Sequence, residues 1–230
     1  MKHIAIAEDN PASILKVIDC LKRTGDFSVE IIASNGYELI EQLHFASHDP
    51  DIFITDINMP VMDGIAVNFY LSQYYPLSKI ISISVYFDYA IMQQAVESGA
   101  QGYLVKPEAE TVILEAIKEV QNNSIYLDSR AKIDENSKAR ILSASQAYNV
   151  EPLIGLTKRE KLFVMLNATT LSYEQIAKLM FVELKTVQTY FDRVAKKCNV
   201  NSRQALTLFS LQNGLARVAR YRPEVQYDKT

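Results

Sequence analysis

Four short pieces of this 230-residue chain carry side chains able to do chemistry together: Glu8-Asp9, Asp56, Ser84 and Lys106. Each stands at the carboxyl end of a short apolar run that reads as a buried strand. Open parallel α/β sheets collect such strand ends on one rim, where their chemistry lies. Three carboxylates crowded there repel one another strongly unless a cation joins them. A hard divalent ion with oxygen ligands, Mg²⁺ above all, relieves the repulsion and keeps coordination positions open for a phosphoryl oxygen. Lys106 can pair with a second phosphoryl oxygen as a compact, mobile charge, and the Ser84 hydroxyl can donate to a third. These are the parts of an aspartyl-phosphate site: a carboxylate nucleophile at Asp56, a metal, and donors for the equatorial oxygens. Taken alone, the Asp56 stretch favours chemistry, with the capping acid of an ordinary strand-to-helix loop as the alternative.

The elements that must position these groups follow from periodicity. Strands are expected at Lys2 to Ala7, Phe27 to Ala33, Ile52 to Ile54, Lys79 to Ser84 and Gly102 to Val105. Between them lie helical patterns opening at Asn10-Pro11, then Gly36 to Phe45, Ile65 to Tyr74, Tyr89 to Ser98 and Glu108 to Gln121. Pro60 bars further pairing after the Asp56 strand, and Asp63-Gly64 marks a turn. Five alternations imply a five-stranded, doubly wound parallel sheet covered on both faces.

Residues 1 to about 123 resemble the receiver domain of bacterial two-component response regulators, a flavodoxin-like fold. The resemblance rests on Glu8-Asp9, on Asp56 with Met59-Pro60 and Asp63-Gly64, on Ser84, and on Lys106-Pro107. It implies that Asp56 accepts a phosphoryl group from a histidine kinase, assisted by Lys106 and Ser84. It also implies Mg²⁺ held by Asp9, Asp56 and the Asn58 carbonyl, with Glu8 supporting through water. Ser84 and Tyr103 would be the switch pair, the ring following the hydroxyl inward. Ser82, on the same strand face, is the alternative hydroxyl, and Tyr103 reads also as a half-buried core aromatic. Val85 departs from the small residue that receivers carry after the hydroxyl.

The overall charge of −3 hides an asymmetry. Residues 1–124 carry 7 basic and 17 acidic side chains, whereas residues 151–230 carry 13 and 7. An acidic half joined to a basic half argues for two domains with different partners. Cys20 and Cys198 are too few and too distant for a disulfide framework, no apolar run spans a bilayer, and a cytoplasmic location is expected. His44 and His48, four apart and lacking a carboxylate or cysteine cluster, read as packed or solvated rather than as metal ligands. Residues 124–150 read as a partly helical linker.

After Pro152 and Gly155, Thr157 followed by Glu160 is a capping box opening a helix. Further helices are expected from Ser172, from Leu184 to Cys198 and from Ser202, an all-α helix-turn-helix arrangement of four helices. Residues 150–215 resemble the LuxR-type DNA-binding domain of NarL/FixJ-family regulators. The matching residues are Leu156-Thr157, Arg159-Glu160, Ile176-Ala177, Thr186-Val187, Arg193, Lys197, Val200, Arg203 and Ala205. The resemblance implies a DNA-facing set of Lys185, Thr186, Gln188, Thr189, Tyr190, Arg193, Lys196, Lys197 and Arg203. Gln188 can read adenine edges, and Lys185, Arg193 and Lys196 suit phosphates. A solvated helix face accounts for the same polarity. Two departures bear on affinity: Glu183 stands where the family carries a capping Ser or Thr, and Leu184 beside it is apolar.

The expected organisation is a receiver over residues 1–123, a linker over 124–150, a DNA-binding domain over 151–216, and a basic, then disordered, tail over 217–230. The expected function is transcriptional regulation switched at Asp56, with double-stranded DNA as partner, and the family resemblance implies a homodimer through the Ser202 to Leu215 helix. A phosphorylated module whose second domain contacts protein is the alternative. A phosphotransferase or hydrolase is disfavoured, because neither a separate general base nor a substrate pocket is visible.

Overall fold

The computed structural model describes residues 1–146, except Phe87, Pro107 and Lys132, and residues 155–216. Expectations that fall on Pro107, on residues 147–154 and on the tail with Arg217, Arg220 and Arg222 lie outside the described residues.

Strands β1 (Lys2–Ala7), β2 (Phe27–Ala33), β3 (Ile52–Asp56), β4 (Lys79–Ser84) and β5 (Gly102–Val105) alternate with helices α1 (Pro11–Lys22), α2 (Gly36–Leu43), α3 (Gly64–Tyr74), α4 (Tyr89–Glu97) and α5 (Ala109–Gln121). They form one parallel sheet in the order β2-β1-β3-β4-β5, doubly wound as the alternation implies. Both faces are covered. Ile4, Ile6, Ile52, Ile54 and Ile81 pack with α1 and α5, while Ala5, Ala7, Phe53 and Tyr103 pack with α2, α3 and α4.

The sheet has six strands rather than five. Tyr126–Leu127, within the stretch read as linker, adds a two-residue parallel strand, β6, beside β5. Asp128 secures it: its N–H donates to the Tyr103 carbonyl at 3.0 Å, and its carboxylate accepts from Val105 N at 3.0 Å. So short and polar a segment has no strand signature of its own. A 3₁₀ turn at Ser129–Ala131 and helix α6 (Glu135–Gln146) follow.

The second half is all helical: α7 (Lys158–Asn167), α8 (Tyr173–Met180), α9 (Leu184–Cys198) and α10 (Arg203–Gln212). The predicted capping box is formed, with Glu160 N donating to Thr157 Oγ1 at 3.2 Å and Thr157 N to the Glu160 carboxylate at 2.8 Å. Ser172 and Gln175 make a second box at the start of α8.

Two helices explain how the halves meet. Every residue of α3 from Gly64 to Leu71 is buried, and α7 buries all of Leu162 to Asn167. A helix apolar all round must be covered all round. The sheet covers one side of α3 and α7 covers the other. Lys161 Nζ lies 5.0 Å above the Phe69 ring, and Phe181 meets the His44 and Tyr74 rings at centroid distances of 5.2 and 5.7 Å. Lys178 Nζ pairs with Glu41 Oε1 at 2.7 Å across the same boundary. A cleft of 300 Å³ between the halves is lined by Met59, Val61 and Asp63 on one side and Thr207 and Leu211 of α10 on the other.

Gly64 shows how tightly the β3–α3 junction closes. A Cβ there would sit 2.3 Å from the Asp56 carbonyl oxygen and 2.7 Å from Ile57 Cα, both unyielding backbone. Gly25 has a positive φ of 72° but open space around it. Gly64→Ala is therefore expected to cost about 2–3 kcal/mol by overpacking, and Gly25→Ala about 1 kcal/mol from backbone strain. Urea unfolding of both variants measures this; equal costs would contradict it.

Candidate functional site

The rim gathers the expected residues. Glu8, Asp9 and Asp56 present carboxylate oxygens that all lie within 4.8 Å of one another. Glu8 and Asp56 are each 5 % exposed, so two of the three charges sit with little water around them. Lys106 Nζ bridges them, 2.5 Å from Glu8 Oε2 and 2.9 Å from Asp56 Oδ2. One ammonium cannot balance three carboxylates. Burial first, and the neighbouring Asp56 charge second, push the Glu8 carboxyl up to about 7, against the opposing pull of Lys106.

The donor set suits a hard divalent cation: carboxylate oxygens of suitable spacing, with excess negative charge unmatched by Lys106. Asn58 folds the loop back, its N–H donating to Asp56 Oδ1 at 3.2 Å. Gly64 N donates to the Ile57 carbonyl at 3.1 Å, which closes the loop behind the acid.

Ser84 is fully buried at the strand end. Its rival Ser82 is engaged elsewhere: Asn68 Nδ2 donates to Ser82 Oγ at 2.7 Å, and Thr55 Oγ1 donates to Asn68 Oδ1 at 2.8 Å. Tyr103 is also fully buried. The half-buried reading of Tyr103 is thereby corrected. The sequence reading missed Tyr86. Its N–H donates to Ser84 Oγ at 3.1 Å, and its carbonyl accepts from Tyr103 Oη at 2.9 Å, so one peptide segment ties the two residues together. Main-chain groups do this work, and a sequence carries no signal for it.

In the second half, α8 ends at Phe181 in the left-handed conformation, and α9 begins after Glu183 with no side-chain cap. Lys185, Gln188, Thr189, Arg193 and Lys196 form an exposed face on α9. Thr186 and Tyr190 are half-buried, and Tyr190 stacks on Phe163 with centroids 5.9 Å apart. Lys197 and Arg203 have other work. Lys197 Nζ pairs with the buried Glu160 at 2.7 Å, and the Arg203 guanidinium reaches the carbonyls of Asn167, Thr169 and Leu171. Asp192, which the sequence reading passed over, accepts from Gln188 Nε2 at 3.1 Å on the exposed face. Leu184 is 46 % exposed, as its place beside Glu183 suggested.

Outside these two sites, the His44–His48 pair does not share a helix face. His44 caps the end of α2 and meets Phe181, while His48 lies in the following loop beside Glu30 and His3. Among the described residues no helix is long and apolar enough to cross a membrane.

Comparison with known proteins agrees with both halves. The response regulator receiver domain family matches residues 4–118, and the luxR family of bacterial regulatory proteins matches residues 155–210. The transcriptional regulatory protein DegU of Brevibacillus brevis is 28% identical over 196 residues, covering 80% of each chain. The oxygen regulatory protein NreC of Staphylococcus epidermidis is 24% identical, over 92% of this chain and 98% of its own. Among solved structures, the RcsB response regulator of Salmonella typhimurium has a TM-score of 0.52 at 21% identity, covering 91% of this chain and 98% of that one. RcsB in complex with DNA has a TM-score of 0.50 at 22% identity, covering 90% and 96%. With an acidic rim at the carboxyl ends of a parallel sheet, followed by a LuxR-type helix-turn-helix, this chain belongs to the response regulators of the NarL/FixJ type.

Proposed function

We infer that the chain is a DNA-binding transcriptional regulator switched by phosphorylation of Asp56. The observation that carries this reading is the Glu8–Asp9–Asp56 cluster with Lys106 laid across it. Asp56 offers the nucleophilic carboxylate. Asp9, Asp56 and the Asn58 carbonyl are the candidate Mg²⁺ ligands, and Glu8 supports from behind. When bound, the ion supplies charge neutralisation for the incoming phosphoryl oxygens. Lys106, freed from one carboxylate, turns its charge to another of those oxygens, and Ser84 offers a hydrogen bond to a third. A histidine kinase is the phosphodonor that family membership suggests.

The second half supports DNA as partner through the exposed Lys185, Gln188, Thr189, Arg193 and Lys196 face, with Thr186 and Tyr190 at its edge. Lys197 and Arg203 drop out of the proposed contact set because their charges are used within the domain. RcsB has been solved bound to DNA, and also bound to promoter DNA with a phosphomimetic present. The proposed units are a receiver over residues 1–123 extended by β6, a connection through 150, a DNA-binding unit over 151–216, and a basic tail.

The closed arrangement explains why phosphorylation matters. The acidic half docks on the last turn of α8 through the Glu41–Lys178 pair and on Phe181 beyond it, so DNA phosphates approaching the start of α9 come up against the acidic half. The cleft also places the Met59–Asp63 loop, directly after Asp56, against α10, the helix expected to dimerise. Phosphorylation reshapes that loop, loosens the contact and frees α10 and α9 together. Glu183 and the exposed Leu184 favour one second reading, in which this half contacts protein.

Three measurements test this. DNA pull-down from a random duplex pool, with Mg²⁺ and a small phosphodonor, should rise in the wild type and not in Asp56→Asn; binding in no state would favour the protein-contact reading. Glu183→Ser should supply the missing cap and remove a repelling charge. The cap adds about 1 kcal/mol to the stability of the domain, and loss of the charge should tighten DNA binding severalfold at low salt; unchanged affinity in a gel-shift titration would count against α9 as the DNA-facing helix. The third concerns Glu8. Between its ordinary 4.5 and about 7, folded Glu8 keeps a proton that the unfolded chain releases, so stability falls as pH rises through that window. Without metal, the advantage of Glu8→Gln over wild type should grow by about 2–3 kcal/mol from pH 5 to 8, and shrink on adding Mg²⁺. A pH-independent difference would refute the crowding.

A further inference from the structure

We propose that the amino end of the sheet, opposite Asp56, carries a site for a borderline divalent transition ion of the Zn²⁺ class, made by His3, Glu30 and His48. One ligand atom from each lies within 4.8 Å of the others. Glu30 holds both rings: Oε1 contacts His3 Nδ1, and Oε2 is 2.8 Å from His48 Nε2. The two rings meet edge to face with centroids 4.1 Å apart. Two imidazole nitrogens and one carboxylate oxygen, with the fourth position open to solvent, form a donor set suited to Zn²⁺ rather than to Mg²⁺.

The site is built, not merely adjacent. β1 and β2 keep register from Lys2–Phe27 to Ile4–Val29, then slip, so that Ala5 faces Ile31 and Glu30 is the extra residue. Phe27 and Val29 pack on the α1–α5 side of the sheet, whereas Ile31 and Ala33 pack on the α2–α3 side. The strand inverts its phase at Glu30, and a bulge of this kind re-aims a side chain. His3 is fixed by its main chain: its N–H donates to the Asp51 carboxylate at 2.8 Å, and its carbonyl accepts from Asp51 N at 2.8 Å. Asp51 lies three residues beyond His48, so one short segment positions both rings. Lys2, the nearby cation, is paired with Asp51 at 2.7 Å. Ser47 Oγ sits 3.0 Å from His48 Nδ1. A proton held there on Nδ1 leaves Nε2 with its lone pair for the metal, the usual arrangement for an oriented ligand histidine. The ion inserts between Glu30 and each ring nitrogen that now faces it, and each neutral ring keeps its single proton on its other nitrogen.

Bound metal would clip β1, the edge strand β2 and the α2–β3 loop together, raising the thermal midpoint by several degrees. The test is isothermal titration of the tag-free full chain with Zn²⁺ in excess Mg²⁺, which occupies the acidic rim. One ion per chain should bind, and His48→Gln and Glu30→Gln should each weaken binding by about tenfold or more. Asp9→Asn should leave it unchanged. Co²⁺ should give the visible bands of a low-coordinate site in wild type and lose them in His48→Gln. Both substituted side chains are solvent-accessible, and matching metal-free melting curves confirm that the variants fold. Equal Zn²⁺ affinity in wild type and His48→Gln, loss of binding in Asp9→Asn, or no uptake at all would overturn the proposal.

Discussion

The repulsion among Glu8, Asp9 and Asp56 is the constraint from which the rest follows. A parallel sheet delivers strand ends to one rim, and two of these ends, those of β1 and β3, carry three acids within 4.8 Å of each other. Lys106 relieves part of the repulsion and burial aggravates it, so Glu8 holds its proton to about 7. The rim is thus poised to exchange: a proton on Glu8, a divalent ion, or a phosphoryl group with its ion all change the balance. Such a site responds to chemistry at Asp56 because its resting state is strained electrostatically.

In the proposed function, transmission of that change would run through parts that touch both halves. Val61 holds a positive φ of 64° in the loop that follows Asp56, a costly conformation for a β-branched residue. The same loop lines the cleft against α10, and its far end runs into α3, which α7 covers. On the other flank Tyr86 connects Ser84 with Tyr103. Tyr86 thus links the Ser84 hydroxyl and the Tyr103 ring through one main-chain segment of the β4–α4 loop. The Met59–Asp63 loop faces α10 across the cleft, and α3, which it leads into, packs directly on α7.

How much of this was legible in the chain depends on the kind of signal. The rim was legible because residue type and strand end coincide at Glu8, Asp56, Ser84 and Lys106. The helix starts at Thr157 and Ser172 were legible because capping is local. Lys197 and Arg203 had the right chemistry for DNA, but only the fold reveals that Glu160 and three carbonyls use those charges first. Tyr86 acts through its main chain and leaves no mark on the sequence. The His3–Glu30–His48 group needed a bulge to assemble it, and a bulge shifts the very alternation from which strand faces are read. The docking of the halves was not read from the sequence, because only the tertiary structure shows that α7 covers the second side of α3.

The central claim is that the closed contact between the halves yields to phosphorylation at Asp56. The most direct measurement is the distance between paired spin labels, one on the exposed face of α1 and one on the exposed face of α9, before and after a small phosphodonor with Mg²⁺. The account predicts a longer, broader distance distribution in the phosphorylated wild type and no change in Asp56→Asn. An unchanged distance in a wild-type chain shown to be phosphorylated would contradict it.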